Sequence, residues 1–312
     1  MEFNGKKAVI AGAGVMGASI AQVYAKAGFL VTLYDLNDDF LAKGRNLIAL
    51  NQETMVKDGM ISADDSKQLV DSITYTYDKN CFEGATIVVE SIIEKMEIKH
   101  SFWTEVSEIA PADALFVTNT SGLSITEIAK AVKDPSRFAG QHWLNPPHII
   151  PLCEIIRGEK TSEETMDKVM DLTTSLNKIP VRLNRDLPGF VTNRIQFAVL
   201  REALYLVESG ACSLEDVDKV MKYGLGIRYA CLGPFEIADL GGLDTFNSIS
   251  SYLFADLADR KDKSPLLSGL AEKGEFGVKS KKGFFDYSNG RDEEVIRYRD
   301  EMYIKISKCL LG

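Results

Sequence analysis

The sequence predicts an α/β fold, a doubly wound parallel sheet carrying a helical-hairpin insert, followed by an all-α C-terminal domain. Three observations carry that expectation. Through the first half of the chain, short uninterrupted apolar runs alternate with helix-period segments, as strands buried on both faces do. A glycine-rich turn, Gly12-Ala13-Gly14-Val15-Met16-Gly17, joins the first run to the first helical segment. Beyond residue 190 the strand-like runs stop, and apolar residues recur with helical spacing.

Lys7–Ala11 reads as the first strand, residues 15–27 as a helix closed by Gly28, and Leu30–Tyr34 as the second strand, ending at Asp35. Residues 40–70 are polar and helix-favouring, with a break at Gly59 and a capping-box-like restart at Ser62-Ala63-Asp64-Asp65. That stretch exceeds a normal βα connection and reads as a helical hairpin projecting from the sheet. Apolar runs at 85–89, 114–118, 138–142 and 151–156, and at Ile179–Leu183, continue the strands, with a helix over 163–177. Asp186-Leu187-Pro188-Gly189 marks the change of character, which places one domain at 1–186 and an all-α domain at 187–312. Two domains also suit a chain of 312 residues, well beyond the ~150 of a single one.

Composition excludes several classes of function. Lys and Arg total 36 against 45 Asp and Glu, a net charge of −9. With no basic block, the chain is a poor match to phosphate-neutralising nucleic-acid binding. No apolar stretch approaches the ~20 residues that span a bilayer, and the N-terminus runs into a strand without a signal-peptide core. Cys81, Cys153, Cys212, Cys231 and Cys309 are scattered and form no CxxC pair. They fit reduced thiols and a cytoplasmic protein. No metal-ligand spacing and no nucleophile elbow is present, so neither metal nor acyl-enzyme chemistry is expected.

The glycine turn sits where a nucleotide needs it. Gly12 allows the tight turn, Gly14 lets backbone approach a pyrophosphate, and Gly17 lets helix and strand pack closely. Val15 and Met16 open the helix, whose N-terminal amides and dipole favour an anion. Asp35 lies 18 residues beyond Gly17, at the end of the second strand, where a carboxylate accepts both ribose hydroxyls and repels a 2′-phosphate. Leu36 and Asn37 offer no Arg for that phosphate, so a Rossmann-type domain binding NAD is expected.

His142, in Gln141-His142-Trp143-Leu144-Asn145-Pro146-Pro147, ends an apolar strand, the edge at which open α/β sheets present ligand-facing residues. Glu154 stands in an otherwise apolar strand and needs a partner there. Together they suit a general base and the group that orients it. A core histidine with Glu154 in solvent is the alternative these residues leave open. Ser121, within Thr118-Asn119-Thr120-Ser121-Gly122, suits either a donor to a substrate oxygen or a turn before the helix that Ser124 and Glu127 cap. Asn193 enters the helix opening the second domain and has the same two readings, functional or local. His100 falls on a polar helix and reads as a surface residue.

These motifs, in this order, resemble the short, monofunctional L-3-hydroxyacyl-CoA dehydrogenase family over nearly the whole chain. The resemblance implies NAD as cofactor, Asp35 as ribose ligand, and Ser121, His142, Glu154 and Asn193 as catalytic residues. It implies Asn145 as a substrate contact, and it places Glu94, Lys99 and Asn119 near the cofactor. The substrate is then a 3-hydroxyacyl-CoA. Independently, the all-α domain carries apolar residues on more faces than it can bury, which suggests a homodimer. The C-terminal Lys282-Gly283-Phe284-Phe285-Asp286-Tyr287 also fits. Two departures, the Pro146-Pro147 pair and the segment from Gly224 to Leu232, resemble instead the L-gulonate 3-dehydrogenase branch, also known as lambda-crystallin. There Arg228 is a candidate clamp for a free carboxylate. A dehydrogenase of a free 3-hydroxy acid, gulonate- or carnitine-like, is therefore the alternative, with a non-catalytic crystallin-like protein more remote.

Overall fold

One eight-stranded sheet organises the first half of the chain in the computed structural model, which describes Phe3 and residues 5–311. Its strands are β1 Lys7–Ala11, β2 Leu30–Tyr34, β3 Thr74–Thr76, β4 Ile87–Glu90, β5 Leu115–Thr118, β6 Phe138–Trp143, β7 Leu152–Ile156 and β8 Ile179–Leu183, in the order β3-β2-β1-β4-β5-β6-β7-β8. Six of the seven pairings are parallel, and β7 runs antiparallel to β6. The parallel expectation is thus corrected at one place. Only residues 144–151 join β6 to β7, too few for the crossover of a dozen or more residues that a parallel pair requires.

Strand alternation divides the core into two layers, one on each face of the sheet. Ile10, Leu33, Val89, Val117 and Ile155 face α1 (Val15–Lys26), α2 (Asp38–Lys57), α3 (Ala63–Ser72) and α6 (Glu163–Ser175). Val9, Val88, Phe116, Phe138 and Ile156 face α4 (Met96–Ile109) and α5 (Ile125–Ala129). The insert is a helical hairpin. Asn37 caps α2 by accepting from the Phe40 amide, Ser62 caps α3 from the Asp65 amide, and Gly59 turns between them at φ +65°. The edge strand β3 was not anticipated.

The chain divides into two compact units, with Thr192 the last residue of the first and Asn193 the first of the second. That division falls later than the expected boundary at 186, because Phe190 is buried in the first unit's core and the amides of Val191 and Thr192 bond to its Glu154. The second unit is all-α: α7 (Thr192–Glu208), α8 (Leu214–Val220), α9 (Gly226–Cys231), α10 (Pro234–Gly241), α11 (Leu243–Asp256), α12 (Pro265–Glu272) and α13 (Arg291–Leu311). A π-helical turn, Met221–Leu225, links α8 to α9. Among its described residues, Leu204 and Ile304 are the only buried apolar side chains, while Phe235 is 86% and Leu240 76% exposed. No described helix is long and apolar enough to cross a membrane.

Candidate functional site

The glycine turn has the backbone its residues predict. Gly12 takes φ +103°, and a Cβ there would overlap the Ser91 carbonyl. A Cβ on Gly17 would overlap the Gly12 carbonyl oxygen, so helix and strand meet with no room between them. A Cβ on Gly14 would meet nothing within 4 Å, leaving open space beside the start of α1. Gly14 caps that helix without a side chain, and its first turn, which begins with the exposed Val15 and half-buried Met16, carries no acidic residue. The first amides therefore remain available to an anion. Asp35, just after β2, accepts from the Ala13 amide through Oδ2 and from the Leu36 amide through Oδ1, both at 2.7 Å. Its carboxylate is held against the glycine turn. Gly17→Ala is expected to cost about 1–3 kcal/mol through overpacking and to weaken NADH binding, read by thermal melting and by NADH fluorescence titration.

At the ends of β4 and β5 lies a second polar cluster. Glu90 and Lys99 are both completely buried, with Lys99 Nζ donating to Glu90 Oε1 at 2.6 Å. Glu90 also accepts from Thr118 Oγ1 at 2.6 Å and from the Ile92 amide at 3.0 Å. Lys99 reaches on to Glu94 Oε2 at 3.2 Å. Glu94 in turn accepts from Thr120 Oγ1 and, at 3.0 Å, from the Ser121 amide. Burial would raise the Glu94 carboxyl, but the Thr120 hydroxyl, the Lys99 charge and the Ser121 amide together hold it below the usual carboxylate range. Lys99, expected near the cofactor, is fully buried. Its ammonium is enclosed by carboxylates, so its influence passes through the partly exposed Glu94 to the exposed Ser121. Asn119 ties three strand ends together, accepting from the Trp143 amide at 2.9 Å and donating to Ser91 Oγ at 3.2 Å.

His142 and Glu154 are directly opposed across the antiparallel β6–β7 pair, which places both side chains on one face of the sheet. His142 Nδ1 lies 2.7 Å from Glu154 Oε2. A carboxylate only accepts, so Nδ1 carries a proton, and in the neutral ring Nε2 presents a lone pair. The other carboxylate oxygen, Oε1, accepts from the amides of Val191 and Thr192, both at 2.9 Å. Burial would raise the Glu154 carboxyl, but the His142 bond and these two amides hold it below the usual carboxylate range. Phe190 stands beside the imidazole with ring centroids 5.2 Å apart. Both side chains are enclosed, His142 3% and Glu154 1% exposed, so Glu154 does not face solvent.

Two family models and several relatives match the chain. The NAD-binding domain of 3-hydroxyacyl-CoA dehydrogenase matches residues 7–187, and the C-terminal domain of the same enzymes matches 189–287. The chain belongs to the 3-hydroxyacyl-CoA dehydrogenase family. A probable 3-hydroxybutyryl-CoA dehydrogenase of Bacillus subtilis is 38% identical over 283 residues, covering 90% of this chain and 97% of its own. The 5-formyl-3-hydroxy-2-methylpyridine 4-carboxylate 5-dehydrogenase of Mesorhizobium japonicum is 33% identical over 304 residues, 97% of each chain. The solved structure of an enzyme of that activity, described as an NAD+-dependent dismutase, covers 99% of both chains with a TM-score of 0.91. The (S)-3-hydroxybutyryl-CoA dehydrogenase PaaH1 of Ralstonia eutropha, 30% identical, covers 91% of this chain and 99% of its own with a TM-score of 0.76.

This dehydrogenase is an NAD-dependent oxidoreductase acting on a CH–OH group. Its glycine cradle, uncapped α1 N-terminus and fixed Asp35 carboxylate fit the pyrophosphate and ribose of NAD. The remaining expected residues are placed as follows. Asn145 is exposed at the start of the 144–151 loop, beside Ser121 only in being exposed at a strand end of the same unit. Asn193 lies in the first turn of α7, and Arg228 is exposed on α9; both belong to the second unit. His100 Nε2 bonds the Glu127 carbonyl at 2.8 Å, joining α4 to α5. Among the described residues no cluster could hold a metal ion. Glu90 and Thr120 went unrecognised in the sequence. The signal for Glu90 was the one that pointed to Glu154, a carboxylate in an otherwise apolar strand.

Proposed function

We propose that the enzyme interconverts a 3-hydroxyacyl-CoA and its 3-ketoacyl-CoA, and the buried His142–Glu154 pair is the observation that carries this reading. His142 Nε2 takes the hydroxyl proton of the substrate, and Glu154 holds the ring in that tautomer and offsets the positive charge formed on it. Bound NAD supplies the acceptor for the carbon-bound hydrogen. Ser121, whose backbone is set by Glu94, donates to the substrate oxygen and stabilises charge developing there. Asn193 is given a second substrate contact on its motif alone. In the reverse direction His142 returns the proton.

The test is NADH oxidation with acetoacetyl-CoA, run beside NAD reduction with L-gulonate and L-carnitine. Turnover of the thioester is expected, and turnover of a free acid alone overturns the assignment. A second reading has a specific observation behind it. The pyridine-carboxylate dehydrogenase superposes at a TM-score of 0.91, against 0.76 for the 3-hydroxybutyryl-CoA dehydrogenase of Ralstonia eutropha. On that reading the substrate is a free carboxylate and Arg228 clamps it in two parallel hydrogen bonds. Arg228→Ala then raises KM for the acid by about tenfold or more, the equivalent of about 1.4 kcal/mol, and leaves a thioester nearly unaffected.

The exposed apolar side chains of the second unit, among them Tyr223 at 75%, Phe235 at 86% and Phe254 at 75%, exceed what a monomer leaves in water. A homodimer that covers them is the proposed assembly, and a monomer mass in light scattering excludes it. Five unpaired cysteines support a reducing compartment such as the cytoplasm.

A further inference from the structure

Lys178 is a buried cation that the chemistry above does not use. It lies between α6 and β8, one residue after Asn177 turns the chain at φ +55°. The residue is 8% exposed, and its ammonium donates to the Pro147 carbonyl at 2.6 Å and the Ile150 carbonyl at 2.9 Å. Nζ also stands 5.8 Å from the centre of the Trp143 ring. No carboxylate is paired with it among the described residues. Burial accordingly pushes its pKa down to about 8. A charge kept inside the protein against that desolvation has something to hold in place.

What it holds is the connection between the two halves of the base pair. Residues 144–151 leave β6 just after His142 and enter β7 just before Glu154. The loop closes on itself where the amides of Ile149 and Ile150 donate to the Pro146 carbonyl, at 3.0 and 2.9 Å. Three further carbonyls are taken from outside the loop. Lys178 binds those of Pro147 and Ile150, and the neighbouring Ile179 amide binds that of Pro151 at 2.9 Å. Asn145 is exposed at the free end of this loop.

We propose that Lys178 is a positioning residue of the site: its enclosed ammonium seats the 144–151 loop and so sets where Asn145 and His142 meet the substrate. This deepens the acyl-CoA reading and rests on it for its kinetic consequence. Removing both donors leaves two carbonyls without partners and frees the loop to shift, and misplacement of about 1 Å is enough to lower turnover about a hundredfold.

Lys178→Met tests it, with Lys178→Gln in its place should the first variant not fold. The expected result is a rise in KM for acetoacetyl-CoA and a fall in kcat/KM of about ten- to a hundredfold. The NADH dissociation constant stays unchanged, since the glycine turn lies elsewhere in the sheet. Hydrogen exchange at the Ile149 and Ile150 amides speeds up while the β1 and β4 amides stay protected. Unchanged kcat/KM per folded enzyme overturns the proposal, as does unchanged exchange in the loop. If the wild type turns over neither thioester nor free acid, the acyl-CoA reading falls, and the exchange measurement still decides whether Lys178 seats the loop.

Discussion

His142→Ala lowers kcat by about 10²–10⁴-fold, the range that a positioned proton-transfer group contributes. NADH affinity in fluorescence titration stays within a factor of two or so of wild type, because His142 belongs to β6 and the nucleotide turn to β1. The loss falls on kcat and kcat/KM together, as for an interaction made only in the transition state. Retained turnover removes His142 from the mechanism. Glu154→Gln is the informative companion. Its amide keeps the size of the carboxylate but also donates, so the Nδ1 proton is no longer enforced and the two backbone amides at 2.9 Å lose a charged acceptor. A lesser but still large fall in kcat is expected from it.

Lys99→Met destabilises the protein by about 3–5 kcal/mol, the cost of leaving one member of a buried ion pair uncompensated. Glu90 and Lys99 are both fully enclosed, so the stranded carboxylate has no route to water. Urea unfolding followed by circular dichroism measures the loss. The double variant Glu90→Gln, Lys99→Met should recover most of it, because removing both charges removes the desolvation penalty as well as the attraction. A single-variant loss below 1 kcal/mol or so would show that Glu90 takes up a proton or finds solvent instead. The network also reaches Ser121 through Glu94, so activity per folded molecule should fall with Lys99→Met even below its melting temperature.

The strands were legible because both faces of this sheet are covered, which turns each into an apolar run such as Ile87-Val88-Val89. Thr74–Thr76 escaped for the opposite reason. It is a three-residue edge strand with no buried face and no apolar run. The reversal of β7 was written in the length of the loop before it, since residues 144–151 leave no room for a crossover. The contact of His142 with Glu154 was only half legible: a carboxylate within Leu152–Ile156 asks for a partner, but Glu154 in solvent stayed open until β6 and β7 were seen to pair. Lys178 was not legible, because a lone lysine between a helix and a strand ordinarily points to water. Only the fold reveals that its partners are carbonyls of a loop 28 and 31 residues away.

On the proposed mechanism, the β6–β7 hairpin makes proton transfer a local property of the chain. His142 and Glu154 are separated by 12 residues, whereas Ala13 and Asp35 at the nucleotide turn are 22 apart and belong to different βα units. A pair joined by one tight connection costs little closure entropy and depends on few distant contacts. Such a module can be inherited intact while the helices and loops around it diverge.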